Sequence, residues 1–414
     1  MNSAFRTALM AALLLGAAAL TIAEPASGQK NKAQAAQPRL KLDKTERTAV
    51  APLQAAVAAR NWAGAAAALP TAQAGARTSI ARYVVARLQL QIGLETQNLP
   101  MQSQAIDTML SSGVAEPSEL PALLQNQAAL VARGGDLKRT EAAYSRLVEA
   151  DPNNVQAMVD LARMKVDVRK PFDAPPLMDR AIALREAAGQ KPPESWYHYG
   201  LRLAVDNKQA PVANRLGARL AAAYPTSENW RDVLMSYSDL AQPGQPPSLD
   251  VWRLMRAARA LAGERDYLAY AQAANGAGLA AEAKAVLDEG VSKRMVDPAK
   301  SGFKELLASA GKKAGADRAG LGAKQSAAMA AATGTAALAA GDSYFGYGDY
   351  ANAASLYRAA IQKGGADAAA ANVRLGAALA LAGQRAEAEA HLRSVTGPGA
   401  ELAAYWLAWL RRPA

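Results

Sequence analysis

Along most of this chain, apolar residues recur at three- and four-residue spacing, in runs of one helix length separated by short polar or Gly-led turns. That spacing predicts paired helices rather than strands. The pattern is plainest in residues 334–402. There Gly341, Tyr344, Gly348, Asp349, Tyr350, Ala353, Tyr357 and Ala360 reappear, in altered form, as Gly376, Leu379, Gly383, Gln384, Arg385, Ala388, Leu392 and Val395, every pair offset by 35 positions. A fixed period of this length means one supersecondary unit copied head to tail. Each copy reads as a helix–turn–helix pair. Gly341 or Gly376 lets the second helix approach closely, and Ala353 or Ala388 faces it.

The same rhythm is followed from residue 48. One helix ends near Ala59, before a turn at Arg60-Asn61-Trp62, and the next runs through Ala65 and Leu69. Further pairs are expected at about 79–93 with 100–112, and across 117–150 with Gly135-Asp136 as the turn. Asp151-Pro152-Asn153-Asn154 is a stop, after which Met158 and Leu161 restart a helix. Its partner carries Met178, Ala181 and Ile182. Ala241 to Ser248 (Ala-Gln-Pro-Gly-Gln-Pro-Pro-Ser) cannot be helical and is expected to divide repeats 48–240 from repeats 249–414. Gly278, Ala283 and Leu287 mark another pair, and a weaker, Gly- and Lys-rich pair is expected at 298–330. The closing segment from Leu402 to Arg412 puts Tyr405, Trp406 and Trp409 on one face, as a terminal helix covering the last repeat.

Two stretches carry a family pattern. Trp196-x2-Tyr199-Gly200-x2-Leu203, with Pro225 after it and Trp230 at 34 positions from Trp196, resembles the tetratricopeptide repeat, whose pattern runs Trp-x2-Leu-Gly-x2-Tyr, Ala-x3-Phe, Pro. Ala337-x2-Ala340-Gly341-x2-Tyr344 followed by Ala353-x3-Tyr357 is similar to it, with Gly365 where Pro is usual. The resemblance implies an all-α, right-handed superhelical solenoid of helix–turn–helix pairs that holds a partner in its concave groove. Such repeats serve many unrelated ligands, so the partner does not follow from the fold.

Composition changes the picture in three ways. Alanine dominates, which favours helix but buries little, so each pair is stable only when stacked. There is no cysteine, which excludes disulfides, a lipobox anchor and thiol catalysis. The net charge is +11. Between 293 and 324, Lys293, Arg294, Lys300, Lys304, Lys312, Lys313, Arg318 and Lys324 outnumber Asp297, Glu305 and Asp317; the cluster is either a solvated helix face or a surface for an acidic partner, an anionic polysaccharide or a membrane. Nucleic acid is disfavoured, because only Phe303 offers a stacking ring there.

At the N-terminus, Arg6 and the uncharged apolar run from Ala8 to Ile22 read as a secretory signal over residues 1–28, cleaved after Ala23 or Gly28. An uncleaved membrane anchor is the other reading, although the run is shorter than the roughly 20 residues a spanning helix needs. Residues 29–47 read as a disordered basic leader. The expected location is periplasmic.

Chemistry is sparse. His198 and His391 stand far apart and belong to no metal-ligand motif, so no metal, no cofactor and no catalytic residue is expected. Gly276-x-Gly278 and Gly346-x-Gly348 mimic a dinucleotide fingerprint but follow helices, not strands. Ser301-Gly-Phe-Lys304 matches a serine-enzyme motif without a sheet to carry it. What remains is a non-enzymatic scaffold for a protein or peptide partner; the alternative is a component of polysaccharide synthesis or secretion machinery. If Trp196, Tyr199, Gly200 and Leu203 face the second helix, then Tyr197 and Leu201, with Arg231 and Met235 one period on, either line the groove and bind the partner or contact neighbouring repeats.

Overall fold

The computed structural model describes residues 40–411. The proposed signal segment and most of the basic leader lie outside the described residues. Within them are twenty α-helices and no strand: α1 (Lys44–Ala58), α2 (Trp62–Gly75), α3 (Ser79–Glu95), α4 (Leu99–Ser111), α5 (Leu120–Arg133), α6 (Leu137–Ala150), α7 (Val155–Asp167), α8 (Ala174–Ala187), α9 (Glu194–Asp206), α10 (Ala210–Ala223), α11 (Ser227–Ala241), α12 (Leu249–Ala257), α13 (Gly263–Gly276), α14 (Ala280–Ser292), α15 (Phe303–Ala330), α16 (Thr335–Gly346), α17 (Tyr350–Lys363), α18 (Ala368–Leu381), α19 (Arg385–Ser394) and α20 (Ala400–Leu410). Contacts run chiefly between successive helices, as in a stacked array of pairs.

One backbone device makes most of the pairs. The turn between first and second helix holds a residue in the left-handed region, with φ between +53° and +79°, at Arg60, Gln97, Gly135, Arg169, Lys208, Gly278, Gly348 and Gly383. In four of these turns the next residue caps the second helix. Asn61, Asn98, Asp136 and Asp349 accept from the backbone N–H three positions on, at 2.9–3.2 Å. Glycine enters this region freely, whereas other residues do so at a cost of roughly 1–2 kcal/mol.

The described residues form two compact units, the first ending at Leu184 and the second beginning at Arg185, inside α8. The division therefore does not fall at 241–248. Residues 242–248 are non-helical, as their prolines require, but they join α11 to α12 within the second unit. In the first unit, Leu53, Leu69, Val84 and Ile92 form one core, and Leu90, Ile106 and Met109 another. The leader ends earlier than its composition suggests. Asp43 and Glu46 form a capping box that starts α1 at Lys44. Glu46 is buried and accepts from the backbone N–H groups of Arg77 and Thr78 (3.2 and 2.8 Å), fixing the start of α1 against the start of α3.

Residues 303–330 are one helix of 28 residues, not a pair. The segment has no proline, and Gly311, Gly315, Gly320 and Gly322 all keep helical backbone. At about 1 kcal/mol each, interior glycines weaken a helix without ending it. In the second unit α20 packs on α18 and α19, as a terminal cover must, and also on α10.

The glycines at the repeat contacts behave as the 35-residue period implies. A Cβ on Gly341 would lie 2.6 Å from Tyr357 Cε1, and one on Gly376 would lie 2.2 Å from Leu392 Cδ2. Gly341→Leu and Gly376→Leu should each lower stability by about 1–3 kcal/mol through overpacking. By contrast, Gly315→Ala and Gly322→Ala in α15, where nothing lies within 4 Å, should raise it by about 0.5–1 kcal/mol. Thermal melts of the four variants test this opposition of sign; like effects at all four positions would contradict it.

Candidate functional site

The second unit is organised around α12, a nine-residue helix with Val251, Trp252, Arg253, Leu254 and Met255 all buried. Five consecutive buried residues cover every side of a helix, so α12 is enclosed by its neighbours. Ser248 caps it and accepts from Val251 N–H. Arg253, with its side chain 1% exposed, donates to both carboxylate oxygens of Glu282 in α14, at 2.9 and 2.8 Å. Its remaining terminal nitrogen donates to Asp250 (3.2 Å) and to Asp342 of α16 (3.1 Å). Arg374, from α18, donates to Asp250 at 2.9 and 3.0 Å and to Asp342 at 2.8 Å. Tyr270 of α13 donates to Glu282 and Tyr357 of α17 to Asp342, at 2.7 and 2.8 Å. The Arg253 guanidinium also lies 4.4 Å from the Phe345 ring centre.

Burial alone would raise the Asp250 carboxyl, but Arg374 and Arg253 outweigh it and hold the group below the usual carboxylate range. Burial would lower Arg253, and Glu282 outweighs that, so its guanidinium is held more firmly protonated than usual. Burial raises the phenols of Tyr270 and Tyr357, reinforced by Glu282 and Asp342 respectively. Both phenols are therefore neutral donors at pH 7. Two guanidinium groups and two phenols thus satisfy three carboxylates. Each member is bound by the others, so the cluster fixes helices in place and offers no poised acid, base or nucleophile.

The residues expected to line a groove are placed differently. Tyr197 is wholly buried in α9; its hydroxyl donates to Glu186 of α8 (2.7 Å) and its ring meets Tyr224 edge-on at 6.0 Å. Leu201 is buried beside it on the same face. As placed, neither displays a surface that a partner could touch. The cause is cover on both sides of α9: the end of α8 and the end of α10 close over the arc that the consensus spacing leaves open. Arg231 in α11 is partly exposed and forms a bidentate pair with the buried Asp266 of α13. Met235 is half-buried on the same helix. Of the aromatic positions assigned to the helix contact, Trp230 is fully buried, whereas Trp196 and Tyr199 are half-buried beneath the guanidinium groups of Arg185 and Arg202.

His198 is exposed beside Glu194 at 3.7 Å, and His391 accepts from or donates to no side chain, its Nε2 lying 3.2 Å from the Asn372 carbonyl oxygen. Among the described residues no group of three or more His, Asp or Glu is disposed to hold a metal ion. No described helix is long and apolar enough to cross a membrane.

Polar links one repeat apart are a recurrent feature that consensus matching misses. Asn229 donates to Glu194 and Arg231 to Asp266, each across 35 positions; Arg219 pairs with Glu186 and Arg256 with Glu289 across 33; Arg374 pairs with Asp342 across 32. Each joins a helix to its equivalent in the next or previous repeat. With the glycine contacts and the left-handed turns, they define the architecture. It is an all-α array of stacked helix pairs.

No family model and no curated protein matches the chain. Among solved structures, a tetratricopeptide repeat protein from Parabacteroides merdae ATCC 43184 is similar at 12% identity, covering 81% of this chain and 100% of its own, with a TM-score of 0.29. The structure of Naa15/Naa10 bound to HypK-THB is similar at 13% identity, covering 87% of this chain and 70% of its own, with a TM-score of 0.27. Values this low carry no inference about function.

The cluster around Arg253 makes a stability prediction. Arg253→Met leaves buried Glu282 with the Tyr270 hydroxyl alone, takes one of two guanidinium partners from Asp250 and Asp342, and should cost about 3–5 kcal/mol at pH 7. Asp250 has its folded pKa depressed, so its contribution is present above the unfolded value near 4 and lost as pH falls through the folded one. In the variant Asp250 loses one of the two guanidinium groups that depress it and takes up its proton more readily. Denaturation at several pH values should therefore show the gap to the parent narrowing on acidification below about pH 5. A gap that stays constant with pH, or none at pH 7, would mean the cluster is not what holds α12.

Proposed function

We propose that this chain is a non-enzymatic helical-repeat scaffold that holds a protein or peptide partner, and that it works in the periplasm. The observation that carries the scaffold reading is the use made of buried charge. Arg253, Arg374, Asp250, Asp342 and Glu282 are consumed in fixing four helices against one another. A body whose interior charges are matched in this way keeps its helices in register, and presents their outward faces as a fixed surface. Fixed, pre-ordered surfaces bind without the entropic cost of ordering. The periplasmic part of the reading is supported by Arg6 and the apolar run from Ala8 to Ile22.

Two measurements test it. Affinity purification of the tagged full chain from its native host should bring down a protein at near-stoichiometric ratio that survives washing and cross-links directly to the chain. Absence of any such protein would sink the scaffold reading. N-terminal sequencing of the chain recovered from the envelope should begin at Glu24 or Gln29. A chain retained in the cytoplasm with residues 1–28 intact would overturn the periplasmic placement.

A further inference from the structure

In the first unit, Glu46 near the start of α1 accepts from Thr78 just before α3, and Tyr83 in α3 donates to Glu119 just before α5, at 2.8 and 2.6 Å. The first helices therefore begin on one edge of the unit, and the turns into the second helices lie on the opposite edge. Trp62 and Met101, at the starts of α2 and α4, pack on the same core. Glu141 of α6 pairs with Lys165 and Lys170 beside the turn into α8. Each of these turns puts a large apolar residue at or near the start of its second helix: Trp62, Leu99, Leu137 and Phe172. Trp62 is half-buried, whereas Leu99, Leu137 and Phe172 are 36, 45 and 64% exposed. Among the described residues of this unit, those three are the large apolar side chains left exposed. In the second unit the corresponding positions hold Ala210, Ala280, Tyr350 and Arg385, and Tyr350 packs edge-on against Phe345.

The same edge carries cations. Arg60 and Arg169 take the left-handed position that Gly135 fills without steric conflict. The dipole of the preceding helix attracts a cation there, but by less than the backbone conformation costs a non-glycine residue. Arg60, Lys138 and Arg169 are exposed and pair with no carboxylate among the described residues. The carboxylates of this edge are set back. Asp136 caps α6, Asp173 lies 3.8 Å from Lys165, and Glu95 and Asp167 precede their turns by two residues on shorter side chains.

We infer that this edge docks on a bilayer surface containing anionic lipid, the apolar side chains entering the interface and Arg60, Lys138 and Arg169 meeting the headgroups. Apolar burial and attraction of cations to anionic lipid are the two contributions to such binding, and both are present on one edge. The apolar groups are single side chains on separate turns, with polar caps and backbone between them. A protein partner would need a matched pocket for each, whereas a fluid interface admits them one by one. Trp62 suits the headgroup level, where indole rings concentrate. Docking of this kind needs no spanning helix, and none of the described helices is one. The inference requires neither a protein partner nor a particular compartment.

The chain has no cysteine, so one introduced cysteine carries a single label. Leu99→Cys in the full chain is coupled to an environment-sensitive fluorophore and titrated with vesicles of phosphatidylethanolamine and phosphatidylglycerol. Ser118→Cys, exposed on the opposite edge of the same unit, is the control. The expected result is brighter, blue-shifted emission from the label at position 99 and no change at position 118. Leu137→Glu with Phe172→Glu should raise the lipid concentration for half the response roughly tenfold. Arg60→Gly with Arg169→Gly should raise it about tenfold as well, without lowering the melting temperature, because glycine suits both backbones. Reading the label instead of total binding keeps the result independent of the apolar run from Ala8 to Ile22. An equal response at position 118, or one at position 99 indifferent to the two glutamates, overturns the docking edge. A response as strong with phosphatidylcholine alone, or unmoved by the two glycines, overturns the anionic-lipid assignment. No response at position 99 overturns the inference outright and leaves the edge to a protein.

Discussion

Arg253 is the residue on which the second unit depends. It sits on a nine-residue helix too short to be held by pairing with a single neighbour, and most of that helix is out of contact with water. A buried guanidinium is costly unless each donor is met. Here the donors are met by carboxylates from α12 itself, α14 and α16, and those carboxylates are met in turn by Arg374, Tyr270 and Tyr357. Such a network adds little net stability over an apolar core of the same shape. What it adds is discrimination. An alanine-rich helix has few protrusions with which to tell one neighbour from another, so close-packed alternatives differ little in apolar burial. A charge placed out of register would lose several kcal/mol, and that penalty selects the observed arrangement.

The same reasoning explains the polar links spaced 32 to 35 positions apart. Apolar burial in this array is divided among many small contacts, each alanine contributing much less than a leucine would. Packing then sets how close the helices come, and polar pairing sets which helix meets which. Gly341 and Gly376 belong to the first function, since each admits a large side chain from the second helix. Arg231 with Asp266, and Arg256 with Glu289, belong to the second.

What was legible in the sequence follows this division. Helix positions were readable almost throughout, because apolar spacing and caps such as Asn61, Asp136 and Asp349 are local signals. The repeat itself was readable where glycine fills the left-handed turn, at Gly348 and Gly383, and where Trp196 and Trp230 recur 34 positions apart. In the earlier turns the same backbone is adopted by Arg60, Gln97, Arg169 and Lys208, and the period disappears from view although the geometry persists. The long α15 was misjudged because clustered glycine suggests a break, whereas only proline or a positive φ would have imposed one. The cluster at Arg253 could not be read at all. Its partners lie 29, 89 and 124 positions apart along the chain, counting Arg374 with Asp250, and no local pattern spans such distances.

The burial of Tyr197 carries the more general lesson. A consensus motif states which side of a helix meets its own partner, and it leaves the other arcs to be taken as open surface. Here an arc left open by the motif is covered by the ends of the helices just before and just after it in the chain. Tyr197 is covered by α8 and α10, and α10 in turn has α20 as a neighbour, so which arcs meet solvent is set by the whole unit and not by the motif alone.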